Sequence, residues 1–176
     1  PTLPQPVAEI ERALQNPIGC PRISSLVSPN TRVVLVSDDN TRLTPVSLIL
    51  PKIMEELAAG GVKRENIKVI IACGTHRAMT RNELELKLGA SWVDKLEIIN
   101  YDFRDPGIMV DLGWTKNGTP VSVHKEVLQA DFILGIGSIV PHHVCGFSGG
   151  AKIVQPGICS ETTTASTHIL SVRKSE

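Results

Sequence analysis

Three short apolar runs, at residues 31–37, 67–72 and 131–136, do most to limit what this 176-residue chain can fold into. Each is dense in Val, Ile and Leu, too short for a stable helix, and free of polar alternation. That is the pattern of a strand buried on both faces. Between the first two, Val46, Ile49, Leu50, Ile53, Met54 and Leu57 recur at helical spacing and stop at Gly60-Gly61. Thr44 followed by Pro45 reads as the cap and first residue of that helix. Thr80 and Glu83 form a capping box for a second helix that ends near Gly89. The alternation predicts an α/β fold with a mainly parallel, Rossmann-like sheet and helices on both faces. A further strand is expected at 96–100. A hairpin is expected at 108–115 and 119–123, turning through Lys116-Asn117-Gly118, followed by a short helix at 125–129 and a long Gly-rich loop at 137–150. The Pro-rich stretch 1–30, with a helical pattern at 7–14, is expected to be an N-terminal extension packing on a domain of residues 31–176.

Each buried run opens into a polar loop, and in open parallel sheets ligands bind where such loops converge. The first loop holds Asp38-Asp39-Asn40-Thr41-Arg42. Arg42 can grip a carboxylate or phosphate with two parallel hydrogen bonds, and Asp39 can hold that Arg or bind sugar hydroxyls. Taken alone, the loop reads rather as a solvated turn with a helix cap. The second loop, Gly74-Thr75-His76-Arg77, puts a histidine where a general base is useful, or where a surface histidine is merely structural. The third loop carries His142 and His143 and then Gly146-Phe147-Ser148-Gly149-Gly150-Ala151-Lys152. Its glycines, Gly149 and Gly150 beside Ser148, let backbone N–H groups face an anion, and Lys152 supplies charge or a nucleophilic amine. It is not a Walker A loop, since Ala151 precedes the Lys and Ile153 follows it, and the G-x-G at 135–137 lacks a third Gly in place. His168 stands alone in residues 161–170, and one imidazole does not build a metal site.

Composition excludes several classes of function. With 41% hydrophobic and 20% charged residues the chain is neither disordered nor collagen-like. A chain of this size buries about two-thirds of its unfolded surface, so it needs no disulfide to hold a core. Eighteen basic residues balance eighteen acidic ones and only 3% are aromatic, so neither a bulk field nor stacking platforms favour nucleic acid. No apolar run approaches the roughly 20 residues needed to span a membrane, and no secretory signal pattern opens the chain. The four cysteines form no C-x-x-C pair and are expected as buried free thiols of a cytoplasmic protein.

In combination, Asp39-Asn40-Thr41-Arg42, Gly74-Thr75-His76-Arg77, Gly137-Ser138-Ile139-Val140-Pro141-His142-His143 and Gly146 to Lys152 with Pro156-Gly157 resemble the nickel-pincer lactate racemase family. The resemblance runs through about residues 31–170. It implies an isomerase, a racemase or epimerase of 2-hydroxy acids, working by hydride transfer to and from a nickel pincer nucleotide, a pyridinium thioamide/thioacid mononucleotide derived from nicotinic acid. It implies that Lys152 joins the cofactor through a thioamide, that Asp39 contacts it beside the Ser148-Gly149-Gly150 cradle, and that His168 is the one protein ligand to nickel. His76 and His142 become the acid/base pair, His142 rather than His143 because it stands ten residues before Lys152. Arg42 becomes the clamp on the substrate carboxylate. One departure is Leu43, where the family usually has Pro after the Arg.

Family enzymes carry a further domain that completes the cleft, so this chain, running from Pro1 to Glu176, is expected to be the N-terminal cofactor-binding part of a longer protein and nearly inactive alone. The implied partners are a small 2-hydroxy acid, the protein's own C-terminal domain and the cofactor-making proteins. The residues by themselves leave open a non-catalytic nucleotide- or anion-binding module built on the same Gly-rich loop. A phosphotransferase using Lys152 is a poorer fit, because no Ser or Thr follows the Lys.

Overall fold

A computed structural model describes residues 5–142 and 145–173 of the chain. Its elements in chain order are α1 (Pro6–Gln15), α2 (Ile23–Leu26), β1 (Val33–Asp38), α3 (Val46–Ala59), β2 (Ile67–Ala72), α4 (Arg81–Leu88), α5 (Ala90–Val93) and β3 (Glu97–Ile99). There follow β4 (Met109–Trp114), β5 (Pro120–His124), β6 (Phe132–Ile136), β7 (Pro141–His142), β8 (Gly146–Phe147) and α6 (Glu161–Arg173). The three apolar runs became β1, β2 and β6. They form a parallel four-stranded sheet in the order β3-β2-β1-β6. β1 lies at its centre and is buried at all six positions, as a strand with two covered faces must be.

α3 presents Val46, Leu50, Ile53, Met54 and Leu57 to the core, and Leu50 and Leu57 have no exposed surface. Each such side chain contributes about 1.5–3 kcal/mol by leaving water. α1 and α2 lie against α3, tied by Lys52–Glu11 at 2.8 Å and by the Arg22–Glu56 ion pair. The Thr80–Glu83 capping box forms as expected, and Gly89 closes α4 with φ +92°, a conformation that favours glycine. The hairpin forms too, as a separate two-stranded sheet of β4 and β5.

Two details differ from the sequence-based expectation, at Thr44 and in the Gly-rich loop, and the short helix expected at 125–129 is present with a tighter geometry. Thr44 is not the cap of α3: Pro45 holds that position, and the Thr44 hydroxyl instead donates to the Asp38 carboxylate. Residues 125–129 form a 3-10 helix, in which the His124 side chain accepts from the Glu126 N–H. The long Gly-rich loop contains order of its own, a small hairpin of β7 and β8 and a 3-10 turn at Gly150–Ile153.

Two features of the sheet position a site. The register aligns strand ends, with Asp38 opposite Ala72 and Ser37 opposite Ile136, so the loops beginning at residues 39, 73 and 137 leave the sheet at one level. In addition, the chain steps from β1 outward through β2 to β3, then returns to the other side of β1 as β6. That reversal opens a crevice at the carboxyl ends of β1 and β6. The β5 strand anchors the far wall. Ser160 N donates to Ser122 O at 2.9 Å, His124 N to Ile158 O at 2.9 Å, and Ser122 N to the Thr163 hydroxyl at 3.0 Å. These bonds fix the start of α6 relative to the sheet.

His124 is 2% exposed and packs its ring 4.8 Å from that of Tyr101. Burial holds its pKa below the ordinary histidine value, outweighing the opposite pull of Glu126. The unfolded chain therefore takes up a proton here before the folded one does, and stability present above pH 6.5 is lost as pH falls toward the depressed folded pKa. The thermal midpoint is expected to fall between pH 7.5 and 5.5, and His124→Asn to flatten the slope by up to about 1.4 kcal/mol per pH unit. An unchanged slope in that variant would contradict the assignment.

Candidate active site

The loop after β1 begins with a buried carboxylate. Asp39 is 3% exposed, and its Oδ1 accepts from the backbone N–H of Thr41 at 3.0 Å and from the Thr41 hydroxyl at 2.5 Å. Its other oxygen lies 2.6 Å from His76 Nδ1, across from the loop after β2. An ionised carboxylate only accepts, so Nδ1 carries the proton, and in the neutral form of the ring the lone pair is at Nε2. The backbone of the second loop is fixed by Gly74, at φ +57°, whose N–H donates to Gly157 O at 2.9 Å. Arg42 is exposed at the rim, with Nη1 donating to the Thr41 hydroxyl at 3.0 Å. Arg77, by contrast, is engaged by Glu83 at 2.6 Å, which together with the Thr80 N–H lowers the Glu83 pKa to about 2.

The third wall comes from the Gly-rich segment. Ser148 ties it down: its N–H donates to Val140 O, and its hydroxyl donates to Ser138 O at 2.8 Å and accepts from Val140 N at 3.0 Å. Gly149 has φ +74°, and a Cβ there would sit 3.0 Å from Ser138 O, so only glycine lets the two backbones meet. Lys152 follows in the 3-10 turn, half-buried, and among the described residues no hydrogen bond or ion pair engages its amine. On α6, His168 Nδ1 donates to Thr164 O at 2.7 Å, which again leaves the ring lone pair on Nε2. His142 sits at the end of β7, and His143 lies outside the described residues.

One cleft of about 230 Å³ collects these groups. Asp39, Arg42 and His76 line it from the first two loops; His142, Ser148, Gly149 and Lys152 line it from the third; His168 lines it from α6. Gly150 alone among the expected residues is displaced, lining an adjoining hollow with Gly149 and Lys152.

The profile of the lactate racemase N-terminal domain family matches residues 1–176, the whole chain. The chain belongs to the lactate racemase N-terminal domain family. Lactate racemases of Thermoanaerobacterium thermosaccharolyticum and Lactiplantibacillus plantarum are each 33% identical over 159 residues, covering 90% of this chain. The chain spans 37% of the length of those relatives. The solved lactate racemase apoprotein of T. thermosaccharolyticum superimposes with a TM-score of 0.86 at 32% identity, over 92% of this chain and 39% of that one. A crystallised Thermotoga maritima protein gives 0.77 at 27% identity, over 96% of this chain and 42% of that one.

The chain presents an α/β domain whose candidate site residues line a cleft at one end of the sheet. The residue reading gave no role to several cleft-lining groups, among them Asp38, Ser138 and Thr164. Asp38 hides at the last position of an apolar strand, and Thr164 sits one helical turn before His168. The cysteines divide: Cys73 and Cys159 are buried, but Cys20 and Cys145 are exposed, which corrects the expectation of buried thiols throughout. Burial raises the pKa of both interior thiols, that of Cys159 to about 11, so neither is a ready thiolate. Among the described residues no three His, Cys, Asp or Glu side chains gather closely enough to hold a metal, and no helix is long and apolar enough to cross a membrane.

Proposed function

We propose that this chain is the cofactor-bearing part of a cytoplasmic 2-hydroxy-acid racemase or epimerase whose remaining length closes the cleft. The observation that carries the reading is the cleft itself. An amine without an ionic partner among the described residues, at the end of a glycine-rich turn, shares it with three histidines and an exposed arginine. A passive anion site has no use for a histidine oriented by a buried carboxylate, whereas proton transfer does.

The donor set fits a nickel pincer nucleotide and does not fit a metal bound by protein alone. No three-residue ligand cluster exists among the described residues, which favours an ion that arrives with most of its ligands. Lys152 would hold the nucleotide through its amine and His168 would complete the metal's coordination through Nε2. When bound, the cofactor supplies an acceptor and donor for the α-hydrogen with its electron pair. The protein's own groups do the rest. Arg42 binds the substrate carboxylate by charge-assisted hydrogen bonds and so fixes the α-carbon. Asp39 holds His76 with the proton on Nδ1, and His76 Nε2 takes the proton of the 2-hydroxyl in one hand of the substrate. His142 serves the other hand. The rest of the protein excludes water, which this open cleft does not do alone.

The reading is tested with full-length protein, made with the cofactor-producing enzymes, acting on a single enantiomer of a 2-hydroxy acid in D₂O. The α-hydrogen is expected to remain protium in the opposite enantiomer, because it travels as hydride and never meets solvent. Deuterium at the α-carbon of the product would contradict this and point to proton abstraction.

A further inference from the structure

Lys87 is the most buried basic residue near the cleft and has no part in the chemistry above. It belongs to α4, outside the three cleft loops, and its side chain is 6% exposed. Its ammonium donates to two backbone carbonyls and faces one carboxylate oxygen as an ion pair. Nζ lies 2.6 Å from Asp38 Oδ1, 2.9 Å from the carbonyl of Arg42 and 3.3 Å from that of Thr44. The other Asp38 oxygen accepts the Thr44 hydroxyl, to which Ser138 Oγ donates at 2.7 Å. Ser138 O in turn accepts from Ser148. One continuous polar chain thus runs from α4 through the end of β1 to the loop after β6 and the Gly-rich turn.

A buried ion pair is a weak source of stability, since desolvation offsets most of the attraction. Its geometric effect is definite. The guanidinium of Arg42 is exposed and, among the described residues, hydrogen-bonds to its neighbour Thr41, so its location depends on the backbone that carries it. Lys87 grips that backbone at the Arg42 carbonyl and, two residues on, at Thr44.

We propose that Lys87, through its ion pair with Asp38, is a positioning residue that sets Arg42 for the substrate carboxylate. The proposal rests on the role given to Arg42 above. The test is a double-mutant cycle on full-length, cofactor-loaded protein, following KM and kcat for a 2-hydroxy acid. Arg42→Ala is expected to raise KM about 10–100-fold, the worth of charge-assisted hydrogen bonds. Lys87→Met is expected to raise KM roughly tenfold with kcat nearly unchanged, a loss of ground-state binding. The double variant is expected to match Arg42→Ala alone, because a residue acting through Arg42 has nothing left to position.

An unchanged KM in Arg42→Ala would overturn the role of Arg42. A raised KM there with an unchanged KM in Lys87→Met, or additive effects in the double variant, would overturn the role of Lys87. If Lys87→Met does not fold, Lys87→Gln takes its place in the cycle. Failure of both to fold would assign the pair to stability and overturn the proposal equally.

Discussion

Replacing His76 by Asn in the full-length protein is expected to lower kcat for racemisation by about 10²–10⁴-fold, the range for loss of a positioned general acid or base. The imidazole is removed while the fold keeps its support, because His76 is half exposed and packs into no part of the core. On the proposed mechanism racemisation in either direction passes through both bases, so His142→Asn is expected to carry a loss of the same order. Asp39→Asn acts indirectly. It removes the carboxylate that fixes the proton on Nδ1 of His76, and a loss of about 10–100-fold is expected from disturbed support of that kind. The order of the three effects is the informative result. Activity of His76→Asn within a few-fold of the parent, measured by chiral separation of product, would remove His76 from the mechanism.

The second large effect is expected at Lys152. Lys152→Arg preserves the charge and approximate length but replaces the amine by a guanidinium that is never deprotonated in proteins. Racemisation is expected to vanish, and nickel to be lost on gel filtration. His168→Ala is expected to lose nickel as well but to keep any nucleotide joined to Lys152. The two variants therefore separate the covalent tether from the metal ligand. Full metal content in Lys152→Arg would show that the nucleotide is held by the cradle of Gly149 and Gly150 without a bond to the amine.

The fold was legible in the sequence where one force dominated. Runs such as 33–36 and 69–71 have no polar residue to place at a surface, so only the centre of a sheet suits them. The capping box at Thr80 was legible because both partners sit on one turn. Thr44 was not, because its hydroxyl has two competing acceptors or donors within reach, and a carboxylate buried at the end of β1 attracts it more strongly than a helix N–H. Lys87 was hidden for a related reason. In a helix reading Arg81-Asn82-Glu83-Leu84-Glu85-Leu86-Lys87-Leu88 a lysine looks solvated, and its burial follows only from where Asp38 comes to rest. The exposure of Cys145 depends on the β7–β8 hairpin, which has two residues per strand and leaves no periodicity to read.

The site divides in the same way. That three loops meet followed from the parallel order and the shared register of the strand ends. The pairing of Asp39 with His76, 37 residues apart, did not follow from either loop alone. His168 was uninformative as an isolated histidine. Its bond to the Thr164 carbonyl is local, one turn back on α6, but its place in the cleft with Lys152 is a tertiary fact, set by how β5 anchors the start of α6.

The central claim is that Lys152 carries the cofactor, and the mass of the protein tests it most directly. Full-length protein is produced with and without the cofactor-making enzymes, weighed intact under denaturing conditions, and digested to locate any modified peptide. An added mass confined to the peptide containing Lys152, present only with those enzymes and absent in Lys152→Arg, is the predicted result. An unmodified Lys152 in protein that racemises a 2-hydroxy acid at full rate would contradict the account.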